Sequence, residues 1–507
     1  MNYSVLEYLE DAVLKYPDKV AFIDAIKQIT FRQTKEHALC IADAIRSRIS
    51  DRRQPILVYL PKGVECITSF MGILYSGNFY TPIDIKFPFP KVEGILNVLE
   101  PKLILTDTKN KVKLLGNGVA EEKILDINSI PLVGSKTDSK FYLKDIISTD
   151  PVYTFFTSGS TGVPKGVVIN NLSILDYIDW ACEKFKINES TIMGNQSAFY
   201  FDISTQDIYA TLKCGATLVI IPETYFVFPA RAVEFINKHK VNYLYWVPSA
   251  FVNISKLNIL EEMPLLYVKT MIFGGEVMPV KHLNYWRKYV PTLEIISNVC
   301  GPTETTVNYS CYIVDREFKD DEVLPLGRPI PNHELLLLDD DGRRVTEKNI
   351  LGELYVRGVA LSPGYYNNPE KTREMYVQNP LNSLYPELVY KTGDLAYYNE
   401  REELVYAGRK DFQIKHMGYR IELGEIETAA LAVENILECC CLYDKFTNQI
   451  ILCYVGQMDS EQLSKNLATL LPKYMIPTRY EKLDAMPHND NGKIDRQFLK
   501  KKFVEEK

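Results

Sequence analysis

The sequence has no excess of positive charge, no long apolar run and few cysteines. Its 58 Lys and Arg residues against 65 Asp and Glu give a net charge of −7, so no global positive field is available for sequence-independent binding of nucleic acid. No apolar run reaches the roughly 18 residues that a membrane-spanning helix needs, and the N-terminus lacks the segments of a secretory signal. We therefore expect a soluble, cytoplasmic protein with no nucleic-acid partner and no membrane span.

Cysteine and histidine are also too scattered to predict a disulfide framework or a metal centre. Ten cysteines in 507 residues include no CxxC pair. The run Cys439 to Cys441 lies in the apolar stretch from Ile436 to Tyr443, which favours a core strand over a redox or metal site. The six histidines include no two at helical spacing. We expect them to have packing or surface roles.

The pattern along the chain predicts an α/β fold. Its length and 46% hydrophobic residues suit roughly three packed units, or one large one. Short β-branched and aromatic runs alternate with helical stretches over 55–106 and again over 216–297, which is typical of a largely parallel sheet. From Glu334 hairpin-like strands follow, and after Arg409 a compact α+β pattern begins. We expect an N-terminal domain, 1–410, of two α/β subdomains and a β-rich subdomain, and a small mobile α+β domain, 411–507.

A glycine-rich loop is the strongest local signal. Residues 153–166 read Y-T-F-F-T-S-G-S-T-G-V-P-K-G, an aromatic strand that runs into glycines and hydroxyl residues. Glycines let the backbone N–H groups approach an anion, hydroxyls donate further hydrogen bonds, and a lysine adds positive charge. The spacing does not fit a Walker A loop, which requires Gly-Lys-Ser/Thr. The alternatives are a phosphate-binding loop and a surface turn; the candidate phosphate ligands are Thr157, Ser158, Gly159, Ser160, Thr161, Gly162 and Lys165.

This loop resembles the phosphate loop of the adenylate-forming superfamily, which comprises acyl-CoA synthetases, luciferases and the adenylation domains of nonribosomal peptide synthetases. Four further regions are similar to that family's signatures, in the same order, so that the resemblance covers essentially the whole chain. They read N-V-C-G-P-T-E-T-T at 298–306, Y-K-T-G-D-L at 390–395 with Y-A-G-R at 406–409, D-F-Q-I-K-H-M-G-Y-R-I-E-L-G-E at 411–425, and L-P-K-Y-M-I-P at 471–477 with N-G-K-I-D-R at 491–496.

The resemblance implies ATP and Mg²⁺ as cofactors and gives individual residues a role. Lys493 would be catalytic and would bridge the substrate carboxylate and the α-phosphate, while Glu304 would hold Mg²⁺. Asp411 would be the hinge of the C-terminal lid, and Gly418 would line the pantetheine path. ATP would further contact Asn298, Val299, Cys300, Gly301, Pro302, Thr303, Asp394, Tyr406 and Arg409. Without the resemblance, these residues are equally typical of turns, a solvated glutamate and an exposed hairpin.

The substrate class depends on Asp202, in the segment F-Y-F-D-I-S-T-Q-D-I-Y-A. In amino-acid-activating members of the family a carboxylate here pairs with the α-ammonium group. The alternative is a helix cap formed by Asp202 or Ser204. The motifs place ten residues at the substrate: Asp202, Ile203, Gln206, Ser249, Ile272, Gly274, Val299, Val307, Asn308 and Lys493.

Among family members the chain is most similar to free-standing D-alanine–carrier protein ligases. Gly274 replaces the cysteine that precedes the Gly-Glu pair there, and Gln206 and Asn308 add polarity that a methyl side chain does not need. A larger or more polar amino acid than D-alanine is therefore an open alternative.

The implied reaction is activation of an amino acid as aminoacyl-AMP, with release of pyrophosphate, and transfer to the phosphopantetheine thiol of a carrier protein. No phosphopantetheine serine motif follows N-G-K-I-D-R, so we expect the carrier to act in trans. The run Lys500 to Lys502 would suit an acidic carrier or a solvated tail. Two rival functions are an aryl- or fatty acid–CoA ligase of the same fold, for which Asp202 would be the wrong residue, and a non-catalytic nucleotide-binding relative.

Overall fold

A computed structural model describes residues 2–135, 137–159, 163–489 and 494–505. The chain packs as two compact units, and elements are numbered in chain order. The larger unit consists of Met1–Ile85, Glu100–Phe155 and Gly166–Lys410, and the smaller of Lys86–Leu99, Phe156–Lys165 and Asp411–Lys507. The smaller unit thus includes two segments that precede residue 410. The functional division at Asp411 stays a prediction.

Within the described residues, the first sheet of the larger unit has nine strands. Its strands are β1 (Val20–Ile23), β2 (Gln28–Thr30), β9 (Ile192–Asn195), β10 (Thr217–Ile220), β11 (Tyr243–Trp246), β12 (Thr270–Gly274), β13 (Ile295–Cys300), β14 (Ser310–Ile313) and β15 (Arg328–Pro329). The order is β15-β14-β13-β12-β11-β9-β10-β1-β2. Pairing is parallel from β13 to β1 and antiparallel at both edges.

A second sheet of the larger unit carries the glycine-rich loop between two of its strands. Its strands are β3 (Pro55–Tyr59), β4 (Phe79–Pro82), β5 (Leu103–Thr106), β6 (Ile124–Asp126), β7 (Pro151–Thr157), β8 (Lys165–Asn170) and β18 (Gly364–Tyr365). The order is β18-β8-β7-β4-β3-β5-β6, and β7, β4, β3, β5 and β6 pair in parallel. The loop therefore follows a strand inside an α/β sheet.

The third sheet pairs its described strands antiparallel, as the hairpin pattern after Glu334 predicts. It contains β16 (His333–Leu338), β17 (Gly352–Gly358), β19 (Tyr376–Gln378), β20 (Leu388–Tyr398) and β21 (Leu404–Arg409). Its order is β16-β17-β20-β19, with β21 paired to β20.

Helices separate the parallel strands of the larger unit. They are α1 (Leu6–Lys15), α2 (Phe31–Arg46), α3 (Val64–Tyr75), α5 (Thr108–Gly116), α6 (Ser139–Leu143), α7 (Asn171–Lys184), α8 (Ile203–Cys214), α9 (Glu223–Val227), α10 (Pro229–Lys238), α11 (Pro248–Lys256), α12 (Ile259–Glu262), α13 (Val280–Tyr289) and α14 (Pro369–Met375). Their apolar faces and the strands share one continuous core that includes Trp246 and Trp286. Alternating strand and helix with buried strands on both faces is the α/β fold that the sequence predicts.

The smaller unit is a compact α+β body. It contains β22 (Gln413–His416), β23 (Tyr419–Glu422), β24 (Ile436–Asp444), β25 (Gln449–Gly456) and β26 (Arg479–Lys482), with α4 (Phe89–Leu99), α15 (Leu423–Leu431), α16 (Ser460–Leu470) and α17 (Arg496–Lys500). Strand β24 lies between apolar layers on both faces, since Cys439 and Cys441 belong to one buried cluster and Cys440 to another. Burial raises the pKa of Cys440 to about 11. The prediction of a core strand for this cysteine run is confirmed.

No described helix is both long enough and apolar enough to span a bilayer. Nor do His, Cys, Asp and Glu side chains cluster in threes as metal ligands anywhere in the described part of the chain.

Candidate active site

The described ends of the glycine-rich loop belong to the smaller unit and contact its β22–β23 hairpin. Gly159 has no room for a side chain, because a Cβ there would lie 1.9 Å from the carbonyl oxygen of Val163. The hydroxyl of Ser158 donates to the carbonyl of Arg420 at 2.9 Å, and Lys165 Nζ lies 3.3 Å from Glu422 Oε1. The buried charge of Lys165 is therefore offset by a carboxylate, and its role at a phosphate stays a prediction.

Four of the sequence-predicted residues fall in segments on which nothing is described. Ser160, Thr161 and Gly162 of the loop, and Lys493 of the N-G-K-I-D-R segment, lie outside the described residues. Thr157 is the last residue of β7.

The segment 298–303 runs from the end of β13 into a tight turn. The Asn298 amide donates to the carbonyl of Pro325 at 2.8 Å, and Val299 pairs with Gly274 on the neighbouring strand. A Cβ at Gly301 would lie 2.5 Å from Asn308 Cα, so only glycine fits this close approach. The turn thereby brings the segment that is predicted to bind ATP against Asn308, which is predicted to bind substrate. This segment continues through Pro302 and Thr303.

Glu304 lies in the short 3₁₀ turn Thr303–Thr305 and is fully buried. Its Oε1 accepts a hydrogen bond from the Tyr365 hydroxyl at 2.8 Å, and Tyr365 pairs with Val167 on the strand after the glycine-rich loop. A buried, oriented carboxylate is a hard oxygen ligand of the kind that Mg²⁺ prefers, and Mg²⁺ commonly takes one or two carboxylates together with substrate phosphates. The donor chemistry of Glu304 fits the implied ion.

Asp394 and Arg409 form a buried ion pair across two strands. They are direct partners in the β20–β21 ladder, with Arg409 Nη1 at 2.9 Å from Asp394 Oδ1. Tyr309 lies nearby, because its hydroxyl is 3.2 Å from Cys300 Sγ, it packs in one apolar cluster with Tyr406, and the charge of Asp394 adds to burial in raising the pKa of its phenol. Three of the predicted nucleotide motifs, those with Cys300, Asp394 and Tyr406, therefore meet in the larger unit.

Asp202 stands at the start of α8 without acting as its cap. Its side chain makes no capping hydrogen bond to the first turn of the helix, within the residues described. It is half-buried, and its charge adds to burial in raising the pKa values of Tyr153, Tyr177 and Tyr245. Its charge thus acts on three buried phenols, and the capping alternative loses its support for Asp202.

Gln206 and Asn308 meet in a buried polar layer beside Asp202. The Tyr177 hydroxyl donates to Gln206 Oε1 at 2.6 Å and accepts from Asn308 Nδ2 at 2.7 Å. Gln206 Nε2 donates to the Tyr243 hydroxyl at 2.5 Å, and Asn308 Nδ2 also lies 2.9 Å from the Tyr245 hydroxyl. We name these five residues the amide–phenol layer. All five are no more than 2% exposed.

The remaining predicted substrate residues lie on separate elements of the larger unit. Ile203 and Ile272 are buried, and the backbone N–H of Ser249 donates to Glu276 Oε2 at 2.9 Å. A Cβ at Gly274 would lie 2.7 Å from the Val299 carbonyl oxygen, so its lack of a side chain is required by the neighbouring strand. The substitution of glycine for cysteine therefore does not by itself enlarge a pocket.

Sequence reasoning missed the three tyrosines of the layer and one aspartate. Tyr243 and Tyr245 belong to a short apolar strand and Tyr177 to a helix, and no motif marks them. Asp207 is fully buried, and burial raises the pKa of its carboxyl to about 7, against the opposing effects of the Asn195 amide and the charge of Lys62. An acidic residue directly before the apolar residues Ile208, Tyr209 and Ala210 was the signal that could have found it.

Asp411 and Gly418 lie in the smaller unit. Asp411 Oδ1 accepts from the backbone N–H of Gln413 at 3.2 Å, at the entry to the β22–β23 hairpin. The hairpin turn has φ values of 54° at Met417 and 83° at Gly418, the left-handed pair that a tight two-residue turn needs. The positive φ of the turn accounts for glycine at position 418. The place of Gly418 on a pantetheine path stays a prediction.

Comparison with solved structures identifies the class of fold. The chain superimposes on the Vibrio cholerae adenylation domain AlmE with a TM-score of 0.84 at 19% identity, over 99% of this chain and 98% of that one. The larger unit with its parallel sheets and the α+β smaller unit together have the adenylation-domain fold.

The sequence comparisons identify the family. Residues 9–366 match the family described as AMP-binding enzyme, and the chain belongs to that family. It is 30% identical to zwittermicin A synthase ZmaJ of Bacillus cereus, over 98% of this chain and 95% of that protein. It is 31% identical to a D-alanine–D-alanyl carrier protein ligase of Bacillus anthracis, over 98% of each.

Proposed function

We propose that the protein activates an amino acid with ATP as an aminoacyl-adenylate and then transfers it to the phosphopantetheine thiol of a separate carrier protein. It would be an AMP-forming ligase that makes a carbon–sulfur bond. The observation that carries the proposal is Asp202, a half-buried carboxylate at the start of α8 that makes no capping bond and whose charge adds to burial in raising the pKa of the buried Tyr177 phenol. A carboxylate in such a setting suits an ammonium group and disfavours an aryl or fatty acid.

The nucleotide would be held by residues of the larger unit. Asp394 can accept hydrogen bonds from both hydroxyls of a ribose, and its pairing with Arg409 fixes its orientation. Glu304, oriented by Tyr365, would hold Mg²⁺ together with phosphate oxygens. The bound ion would neutralise phosphate charge. Residues of the glycine-rich loop would donate to the phosphates.

The two reactants are both anions, so positioning and charge neutralisation must supply most of the rate enhancement. Lys493 would do this by lying between the substrate carboxylate and the α-phosphate. Residues 1–410 would act as the adenylation core and 411–507 as a lid that turns at Asp411. The thiol arm would then pass Gly418.

The carrier-protein step is supported by the relative that matches along its whole length. The Bacillus anthracis ligase named above acts on a carrier protein, as its name states. The same name gives D-alanine as the substrate of that protein. Which amino acid this chain takes depends on the residues beside Asp202.

The test is amino-acid-dependent exchange of pyrophosphate into ATP, followed by loading of a phosphopantetheinylated carrier protein. We expect exchange with amino acids and none with aryl or fatty acids. Asp202→Asn should lower kcat/KM by about 100-fold or more, because truncating one partner of a desolvated charge pair costs about 2–5 kcal/mol. Asp340→Asn, at an exposed carboxylate of the same unit, is the matched control and should leave exchange unchanged. Exchange with carboxylic acids alone would favour the CoA ligase instead.

A further inference from the structure

The amide–phenol layer is satisfied by its own members. The Tyr177 hydroxyl both donates to Gln206 and accepts from Asn308, and the Tyr243 hydroxyl accepts from Gln206. The Tyr245 hydroxyl lies 3.2 Å from Asn308 Oδ1 as well as 2.9 Å from its Nδ2. Buried amides and phenols are costly unless paired, and here each has a protein partner. The polarity of Gln206 and Asn308 therefore does not require a polar substrate.

The backbone holds Asn308 rigidly in the layer. The two preceding residues, Thr306 and Val307, have φ values of 53° and 71°, which β-branched side chains rarely adopt. The N–H of Asn308 donates to the carbonyl of Thr306 at 3.0 Å and closes a γ-turn, while the Thr306 hydroxyl donates to the carbonyl of Ala360 at 2.8 Å. Strain of this kind persists only where the surroundings fix the conformation. The layer cannot readily open for a large side chain.

The layer also lies close to the proposed amine site. Asp202 and Gln206 are four residues apart at the start of α8, so they project from the same helix face. They are separated by about 6 Å along the helix axis. The charge of Asp202 also reaches Tyr177 and Tyr245, as their raised pKa values show, although burial is the larger cause for both. A substrate held by its ammonium group at Asp202 would meet the layer within a few bonds of its α-carbon.

We infer that the amide–phenol layer is a specificity-determining floor that restricts the substrate to amino acids with the smallest side chains, glycine or alanine. The inference rests on the proposed amino-acid activation. Its basis is steric: a closed, fully paired and strained layer lies about one helical turn from the group that would bind the amine. A larger side chain would have to break paired hydrogen bonds to enter.

The first experiment is pyrophosphate exchange by the full-length enzyme with glycine, both alanine enantiomers, asparagine, leucine and phenylalanine. We expect kcat/KM for glycine or one alanine to exceed that for the three larger amino acids by about 100-fold or more, the scale at which pockets discriminate by size. Highest activity with asparagine, leucine or phenylalanine would overturn the inference and leave the proposed function intact. Exchange with aryl or fatty acids alone would overturn both.

The second experiment truncates side chains of the layer. Gln206→Ala should raise the leucine-to-alanine ratio of kcat/KM at least tenfold, since it removes the side chain of the layer that lies one helical turn after Asp202. Tyr177→Phe is a smaller change that should shift the ratio in the same direction. The matched control is Tyr142→Phe, which removes a buried phenol bonded to Asp43 elsewhere in the unit and should leave the ratio unchanged.

The ratio separates a specificity role from a structural one. A layer that only stabilises the fold would lower kcat/KM for every amino acid by the same factor, and that outcome in both Gln206→Ala and Tyr177→Phe would overturn the inference. If Gln206→Ala does not fold, the ratio measured with Tyr177→Phe decides whether the layer determines specificity.

Discussion

Two aspartates of the larger unit are buried to a similar degree but have different partners. Asp394, 5% exposed, pairs with the guanidinium of Arg409 at 2.9 Å. Asp207, 1% exposed, accepts from the neutral amide of Asn195 at 2.8 Å. The pKa of Asp207 rises to about 7, because burial outweighs that amide and the charge of Lys62. The neutral hydrogen bond from Asn195 therefore does not offset the burial of Asp207, whereas the buried Asp394 has a charged partner.

The largest effect should come from breaking the charged pair. Arg409→Met keeps much of the apolar volume but leaves the Asp394 carboxylate buried without its guanidinium. Removing one partner of a buried pair costs about 3–5 kcal/mol. We expect a correspondingly lower urea midpoint. Tryptophan fluorescence reports on this unit, since all three tryptophans, at 180, 246 and 286, lie in it.

An exposed ion pair of the same unit supplies the control. Lys269 Nζ lies 2.9 Å from Glu294 Oε1, and the two side chains are 60% and 63% exposed. Lys269→Met should therefore lower stability much less than Arg409→Met, because exposed ion pairs contribute little. Equal losses in the two variants would show that the Asp394–Arg409 pair has no special energetic role.

The next effect should appear in the pH dependence of stability. Asp207 keeps its proton up to about pH 7 in the folded state, whereas an unfolded aspartate releases it near pH 4. The folded state thus binds more protons between these values, and the contribution of Asp207 to stability is lost as the pH rises through this window. The Asp207→Asn variant has no ionisable carboxyl group at this position. Relative to this variant, the wild-type protein should lose about 3 kcal/mol between pH 5 and pH 8.

The measurement is a pair of urea titrations for each protein, at pH 5 and pH 8. The groups that face Asp207 are Asn195, Lys62 and the Tyr243 phenol, whose raised pKa keeps it neutral over this range. Asp340→Asn, at the exposed carboxylate, should follow the wild-type profile. A constant difference between wild type and Asp207→Asn at both pH values would contradict the raised pKa.

Local sequence signals predicted the α/β order and most of the residues that the candidate site brings together. Cys439 to Cys441 form the predicted core strand, because an apolar run of this length fits a buried strand. Asp394 and Arg409 both stand in motifs, and their pairing follows from the strand register. Tyr177, Tyr243 and Tyr245 could not be predicted, since they reach the site from separate elements and their roles depend on long-range packing. The same holds for the contacts of Lys165 with Glu422, 257 residues away.

The smallest effect is expected in the amide–phenol layer. Its members are neutral, in contrast to the charged pair of Asp394 and Arg409. Tyr177→Phe deletes one hydroxyl and leaves Gln206 Oε1 without its donor, so an unsatisfied buried acceptor should cost about 1–3 kcal/mol. Tyr142→Phe removes a donor from Asp43, whose carboxylate still accepts from Ser135 and Thr137. Its loss should therefore be smaller. Urea midpoints by tryptophan fluorescence compare the two, and a loss for Tyr177→Phe no greater than that for Tyr142→Phe would mean that the layer rearranges and is not the rigid floor inferred above.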